Sequence, residues 1–500
     1  MAALAKEAVF PMPKFIFSWE EADDACPDCG RRLYLRLTRR RKVVSLAYGS
    51  FLALERQGFC PAHPERAPVR SRQLPRIVAA GANLAHDVVV RVGLARFLEC
   101  RQFEEIQAEL SRQYGVVVPQ RTFSYLAQRF VAYLQVVHEQ SISLLRKDMR
   151  KRGGYVLHID GTCEEASHVL LVCLDSLSGQ ILDSRKIASE NTADVKDVLK
   201  NVRQQWGVPL AIVHDLRQSL ITAAAEVFEG VAQFVCHYHL AADVGKDILS
   251  PDVDRLRRLF RRTKVRPKLR ELRRSLKKFA VSEDSAEHVV RTVLDCRSPQ
   301  RLQQYATEEM LKGTVHALAS WILAFSRTGE GYGYPFDLPY LALYERIVEV
   351  HKVLEKASAA WPRKTAGAMG TLKRLKTVLE AALSSEHTEE LRQIVADTMR
   401  DLRIFQRFRT ALRICPNGGK RRRNDEGAPD TLSPGRHKLL LKKLRAALRR
   451  KARQSPAAAR ACNIIVEHLD KYWPLLFGHS VKRRPRIVVP RTNNVEERLF

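Results

Sequence analysis

The sequence predicts a mixed α/β core that carries a large all-α insertion and follows two small N-terminal modules. Three observations predict it. Between Tyr155 and Cys236, short apolar runs of strand type alternate with amphipathic helical stretches. From Pro251 to Lys482 the pattern is helix upon helix. Near the N-terminus, Cys26 and Cys29 form one close pair and Cys60 and His63 a second.

The bulk numbers narrow the class. A chain of 500 residues has room for two to four domains, each with its own core. With 85 Lys and Arg against 55 Asp and Glu, the formal net charge is +30, which predicts a polyanionic partner, most simply nucleic acid. The alternative is a basic surface that only keeps the chain soluble. No apolar run reaches spanning length, and no basic region followed by an apolar stretch opens the chain, so a membrane or secreted protein is not expected. The ten cysteines are scattered, which reads as metal ligands or core residues before disulfides.

In chain order, residues 1 to about 25 carry Pro11, Pro13 and an acidic patch, and an irregular arm is expected there. CPDC and CPAH follow, about thirty residues apart. A spacing of two lets both side chains of a pair reach one tetrahedral ion, so Cys26, Cys29, Cys60 and His63 are expected to hold a structural Zn2+ in a zinc-ribbon domain over 1–75. Two unrelated cysteine turns are the alternative. The basic run LYLRLTRRRKVVSLAYG between the pairs reads as strands.

Over 76–150 the period is helical. One helix ends at Tyr114 and Gly115, a VVVP turn follows, and a second helix starts with polar residues: the pattern of a helix-turn-helix. Gln120, Arg121, Thr122 and Ser124 are then the residues facing a major groove. Two packed helices in a purely structural linker fit the same pattern.

Gly153 and Gly154 punctuate the boundary to a core over 151–250. YVLHIDGT is a strand that puts His158 and Asp160 on one face. SHVLLVCLD and QILDSRKIA form a hairpin about Ser178 and Gly179, Asn191 caps a helix, PLAIVHD is a strand ending on Asp215, and a helix and a fifth strand, AQFVC, follow. Three strands in a meander, then helix, strand, helix, strand, is the element order of a ribonuclease H-like domain. In that order the first and fourth strands are neighbours, so Asp160 and Asp215 meet at one edge of the sheet. Paired carboxylates there suit divalent ions, and two-ion phosphoryl transfer needs them roughly 3.5 to 4 Å apart. Either aspartate alone reads equally as a strand-end or capping residue. Cys236 and His239 form a CxxH pair that by chemistry is half a metal site, a redox pair or a buried polar cluster.

The insertion spans 251–482. Its basic stretch DRLRRLFRRTKVRPKLRELRRSLKKFA is read as a phosphate-contacting surface against the plainer reading of a solvated face. EGYGYPFDLPYLALYERI is an aromatic loop that either stacks on DNA bases or plugs the core, and the second is preferred. A disordered loop is expected near 417–435.

With these residues in order, the sequence resembles the DDE transposases of bacterial insertion sequences, and within them the Mutator-like group. The resemblance rests on Asp160-Gly161-Thr162, Asp215, Cys236 with His239, and Asn493-Asn494 followed by Glu497 and Arg498. It implies Asp160, Asp215 and Glu497 as catalytic acids holding two Mg2+ (or Mn2+) ions, with Glu496 the adjacent alternative in a C-terminal segment over 483–500. It further implies double-stranded DNA, as transposon ends and target, as partner, a homo-oligomer on DNA, and a cytoplasmic, nucleoid-associated location. The helix carrying Glu497 is expected to run on for several turns, whereas the chain stops three residues later. A shortened, inactive derivative that only binds DNA is therefore the rival reading. A nuclease of ribonuclease H type is a third, which accounts for the acids and not for the zinc ribbon or the insertion.

Overall fold

The computed structural model describes residues 10–18, 24–162, 168–295, 307–327, 329, 331–358, 366–383, 385–414, 434–477, 480–481 and 487–492. The chain is mixed α/β and divides into two compact units, Met1–Asp148 and Met149–Phe500.

In the first unit, β1 (Ile16–Phe17), β2 (Tyr34–Ser45), β3 (Gly49–Phe59) and β4 (Val69–Arg70) form one sheet. The β2–β3 hairpin is the basic run between the metal-ligand pairs, and its alternation places Val43, Phe51 and Ala53 in a small core with Leu74 and Val78. The N-terminal arm is less irregular than its prolines suggest, because Ile16 and Phe17 pair in parallel with Leu52 and Ala53. An apolar dipeptide beside an open strand edge gains ladder hydrogen bonds that the two upstream prolines do not disturb.

Four helices follow: α1 (Leu74–Ile77), α2 (His86–Phe97), α3 (Phe103–Tyr114) and α4 (Gln120–Lys151). At the end of α3, Gly115 takes φ 63°, a left-handed cap that a side chain would strain, and Val116 N–H closes back on the Leu110 carbonyl. Val116 and Val118 of the turn are buried with Leu110, Phe123 and Leu126, so the turn itself fastens α3 to α4. α4 is longer than a recognition helix needs and runs on to Lys151.

The second unit is built on a five-stranded sheet. Its strands are β5 (Val156–Thr162), β6 (Val169–Asp175), β7 (Gln180–Ile187), β8 (Ala211–His214) and β9 (Gln233–Val235), in the order β7-β6-β5-β8-β9. β5, β6 and β7 form an antiparallel meander, while β8 pairs parallel to β5 and β9 parallel to β8. The connections are α5 (Thr192–Trp206) and α6 (Gln218–Val227). The Asn191 side chain accepts from Asp194 N–H and starts α5, as its residue type predicts. α5 buries Val195, Val198, Leu199 and Val202, the period expected of a helix lying on a sheet.

α7 (His237–Arg262) leaves the sheet and continues unbroken through Pro251. Among the described residues eight more α-helices follow: α8 (Val265–Ser275), α9 (Glu283–Leu294), α10 (Glu308–Leu323), α11 (Pro339–Ser358), α12 (Ala366–Leu383), α13 (Ser385–Leu412), α14 (Pro434–Gln454) and α15 (Pro456–Tyr472). They enclose two apolar cores. One lies among α8 to α12, the far end of α7 and the start of α13; the other gathers the first half of α7 with the rest of α13, α14 and α15 and takes in Leu216 and Val235 from the sheet region.

The expected loop near 417–435 falls on residues outside those described, apart from Pro434 and Gly435, which already belong to α14. In the aromatic loop, Phe336 is buried and stacks 5.0 Å from Tyr238 of α7, and the Arg409 guanidinium lies 4.8 Å from its ring. That is the core-plugging arrangement. A short pair, β10 (Ser480–Val481) and β11 (Ile487–Val488), closes the described chain, with Ile487 and Val489 packed on Val156, Val213 and Phe234.

Candidate metal centres

Cys26 and Cys60 are buried, Cys29 is exposed and His63 half-buried. Their side chains converge: Cys29 Sγ lies 3.6 Å from Cys60 Sγ, His63 Nδ1 3.6 Å from Cys60 Sγ, and His63 Nδ1 3.7 Å from Cys26 Sγ. A tetrahedral ion bound by sulfur at about 2.3 Å has ligand edges of about 3.8 Å, close to these three distances. Local turns produce this. Gly30 N–H bonds the Cys26 carbonyl and His63 N–H the Cys60 carbonyl, each pair thereby closing its own knuckle. The Cys29 backbone N–H beside the Cys26 sulfur lowers that thiol to about 7, favouring the thiolate a metal needs. The predicted set can hold a zinc ion.

The second centre is created by sheet register. β5 and β8 run parallel with His158 opposite Val213 and Ile159 opposite His214, so one step further Asp160 and Asp215 stand together at the carboxyl ends of the two strands. Asp160 is 5% exposed. Each carboxylate is held by the backbone beside it, Asp160 Oδ1 accepting from Gly161 N–H at 2.9 Å and Asp215 Oδ1 from Leu216 N–H at 2.6 Å. Burial pushes the Asp160 carboxyl up, and the Asp215 charge adds to this against the opposing pull of His239, Gly161 N–H and Arg217. Two acids so placed, with His239 and Arg217 as the basic groups beside them, can take up a divalent cation.

The third group at this centre is His239. Cys236 caps α7, and its N–H bonds the His214 carbonyl at 2.8 Å, which ties the start of the helix to the end of β8. His239, on the first turn, then lies with Nδ1 3.7 Å from Asp215 Oδ1, and one atom each of Asp160, Asp215 and His239 lie within 4.8 Å of one another. Burial alone would lower the His239 pKa; the Cys236 side chain, which hydrogen-bonds its ring, and the charges of Asp215 and Asp160 overcome this and push it up to about 10. The sequence marks His239 only as part of a motif, because nothing in a strand–helix pattern says which face of a first helical turn meets a neighbouring strand.

Glu190 escapes the sequence reading altogether. Its side chain is 5% exposed, pairs with Arg217, and lies directly on Gly161, where a Cβ would stand 1.8 Å from Oε1. Arg217, itself half-exposed, also reaches to 3.9 Å from Asp215 Oδ2. The glycine of the Asp-Gly-Thr run therefore makes room for a carboxylate.

Of the other predicted residues, Arg121 and Ser124 are exposed on the first turn of α4, while Gln120 and Thr122 are half-buried, Gln120 donating to Glu104 of α3. Asn493, Asn494, Glu496, Glu497 and Arg498 lie outside the described residues. The residues just before them are anchored: Arg491 and Thr492 are buried, the Arg491 carbonyl accepts from His237 N–H at 2.8 Å, and the Arg491 guanidinium donates to the Leu412 carbonyl at 3.0 Å. No family model and no curated protein matches the chain. Among the described residues no helix is long and apolar enough to cross a membrane.

Proposed function

We propose that the chain is a DNA transposase of the DDE type, with a ribonuclease H-like core, that cleaves and joins DNA strands at the ends of an insertion sequence. The observation carrying this reading is the convergence of Asp160 and Asp215 at the carboxyl ends of adjacent parallel strands, in a sheet of order third-second-first-fourth-fifth. The net charge of +30 supports a DNA partner. A ribbon able to hold zinc and the α3–turn–α4 unit, with Arg121 and Ser124 exposed, supply modules for recognising ends.

In this reading Asp160 and Asp215 hold divalent ions together with Glu497. Oxygen donors from neighbouring elements suit Mg2+, which keeps several of its own waters. Glu497 follows Thr492 by five residues, and Thr492 adjoins Arg491, whose carbonyl is anchored on His237. When bound, the ions supply activation of water or a DNA 3′-hydroxyl and stabilisation of the leaving oxygen. The chain's own residues do the positioning: Asp160 and Asp215 are oriented by the amides of Gly161 and Leu216, and the exposed Arg217 beside them is placed to meet a phosphate. A homo-oligomer on DNA, in the cytoplasm and associated with the nucleoid, completes the proposal.

The test is Mg2+-dependent cleavage of duplexes carrying the element's ends. Cleavage at the end junction, lost at least a thousandfold in Asp160→Asn, is the expected result. Activity surviving that substitution overturns the assignment. Salt-sensitive binding without cleavage points to a derivative that only binds DNA, and digestion of any duplex without end preference to a nuclease.

A further inference from the structure

We infer that His239, giving up a ring proton as the ion binds, is a further ligand of the divalent-ion centre, an imidazole beside the carboxylates of Asp160 and Asp215, and that the CxxH pair exists to hold that imidazole in place. The inference rests on the metal-holding part of the proposed function and on nothing that the ion does to DNA.

Three features carry it. One atom each of Asp160, Asp215 and His239 lie within 4.8 Å of one another, and the His239 nitrogen facing the acids is Nδ1, 3.7 Å from Asp215 Oδ1. Ligands at about 2.1 Å from a shared ion lie about 3 Å apart when adjacent and about 4.2 Å apart when opposite, and the 3.7 Å between His239 Nδ1 and Asp215 Oδ1 falls between the two. Next, the ring has a partner of its own. Cys236, the cap of α7 three residues earlier, hydrogen-bonds it, the kind of supporting contact that fixes tautomer and ring plane in histidine ligands. Finally, the turn bearing the pair is pinned twice, by Cys236 N–H on the His214 carbonyl at the end of β8 and by His237 N–H on the Arg491 carbonyl. A cysteine at the cap and a histidine three residues on therefore face the sheet end together, which explains the spacing.

The chemistry gives a selectivity. Mg2+ prefers oxygen donors, whereas imidazole favours first-row transition ions. The centre therefore takes Co2+ and Mn2+ in preference to Mg2+ by more than an all-carboxylate site does.

The experiment uses the full zinc-loaded chain without DNA, titrated with Mn2+ and followed by electron paramagnetic resonance, with pulsed measurement of 14N coupling to the bound ion. The expected result is an imidazole nitrogen coupling that disappears in His239→Gln, with Mn2+ affinity falling about tenfold or more. His239→Asp guards against a misfolded variant: it retains Mn2+ without the nitrogen signal and narrows the Mn2+ over Mg2+ preference. Cys236→Ser, which keeps a hydrogen-bonding group, retains the coupling, and Cys236→Val weakens Mn2+ binding. A nitrogen coupling unchanged in both His239 variants, or no Mn2+ binding by the parent chain, overturns the inference. Loss of DNA cleavage activity with the coupling intact counts against the transposase reading and leaves the ligand standing.

Discussion

At the scale of single residues, the centre is built from groups that cost the fold stability. Asp160 is buried beside a second carboxylate, and burial raises its pKa. A carboxyl whose folded pKa is raised is penalised whenever it is ionised, so its removal helps the fold at neutral pH. Asp160→Asn, which keeps the oxygen accepting from Gly161 N–H, should raise the melting temperature in buffer without divalent ions and abolish the further rise on adding Mn2+. Differential scanning fluorimetry of the two proteins with and without the ion measures both. Gly161 carries a separate expectation. In Gly161→Ala the new methyl overlaps the Glu190 carboxylate, which must move off Arg217. The variant should lose about 1 to 3 kcal/mol of stability, read from urea melts. In Glu190→Ala the same methyl should be tolerated; an equal loss in that background would show that something other than Glu190 is crowded.

At the scale of elements, two small devices hold the first unit. Among the described residues the knuckle end of the ribbon packs a small cluster of Leu33, Leu35 and Val69 around its ligands, apart from the hairpin core of Val43, Phe51 and Ala53, so a bound zinc would supply much of the stability of that end. Removing zinc with a chelator, or Cys60→Ser, should release one equivalent by mass spectrometric metal analysis and melt the ribbon while α5 to α15 keep their helical circular dichroism. Simultaneous loss of all structure would refute that independence. The second device ties α2 to α3. Arg91 grips Glu109 through two hydrogen bonds of 2.8 and 2.9 Å, and Arg101 from the intervening turn pairs with the same carboxylate. The Arg91 hydrogen bond holds Glu109 below its usual range despite the opposing effect of burial. A depressed carboxyl pKa contributes stability above the ordinary glutamate value that is lost as pH falls through the lowered one. Acid should therefore loosen this helix pair below about pH 4.5. Glu109→Gln should cost about 1 kcal/mol at pH 7, after solvent screening, and little at pH 3. Equal melting differences at the two pH values would contradict it.

For the whole molecule, the charge offers a test of the proposed partner. With 30 excess positive charges, the proposed DNA binding should weaken steeply with salt, because each neutralised phosphate releases a counterion. If six or more phosphates are contacted, raising monovalent salt from 50 to 200 mM should weaken binding about a thousandfold or more, measurable by fluorescence anisotropy on labelled duplex. A slope near zero would remove nucleic acid as the partner.

Much of this was legible in the sequence. The CPDC and CPAH pairs announced their ligands, because a tight knuckle needs only neighbours in the chain. Alternation and caps placed β5 to β9, α5 and α6 to within a few residues, Asn191 and Gly115 acting as local punctuation whose meaning does not depend on the rest of the fold. What local signals could not carry were contacts between segments distant in sequence. Ile16 and Phe17 became a strand because an edge of β3 was open beside them. Glu190, distant from Gly161 in sequence, came to rest on it and to pair with Arg217. His239 joined Asp160 and Asp215 because a backbone bond from Cys236 to His214 fixes how α7 leaves the sheet. The sequence by itself determined which residues have the chemistry to bind an ion. Only the tertiary structure decided which of them meet, since strand register and the first turn of a helix are set by packing and long-range hydrogen bonds and not by the residues that will share the metal.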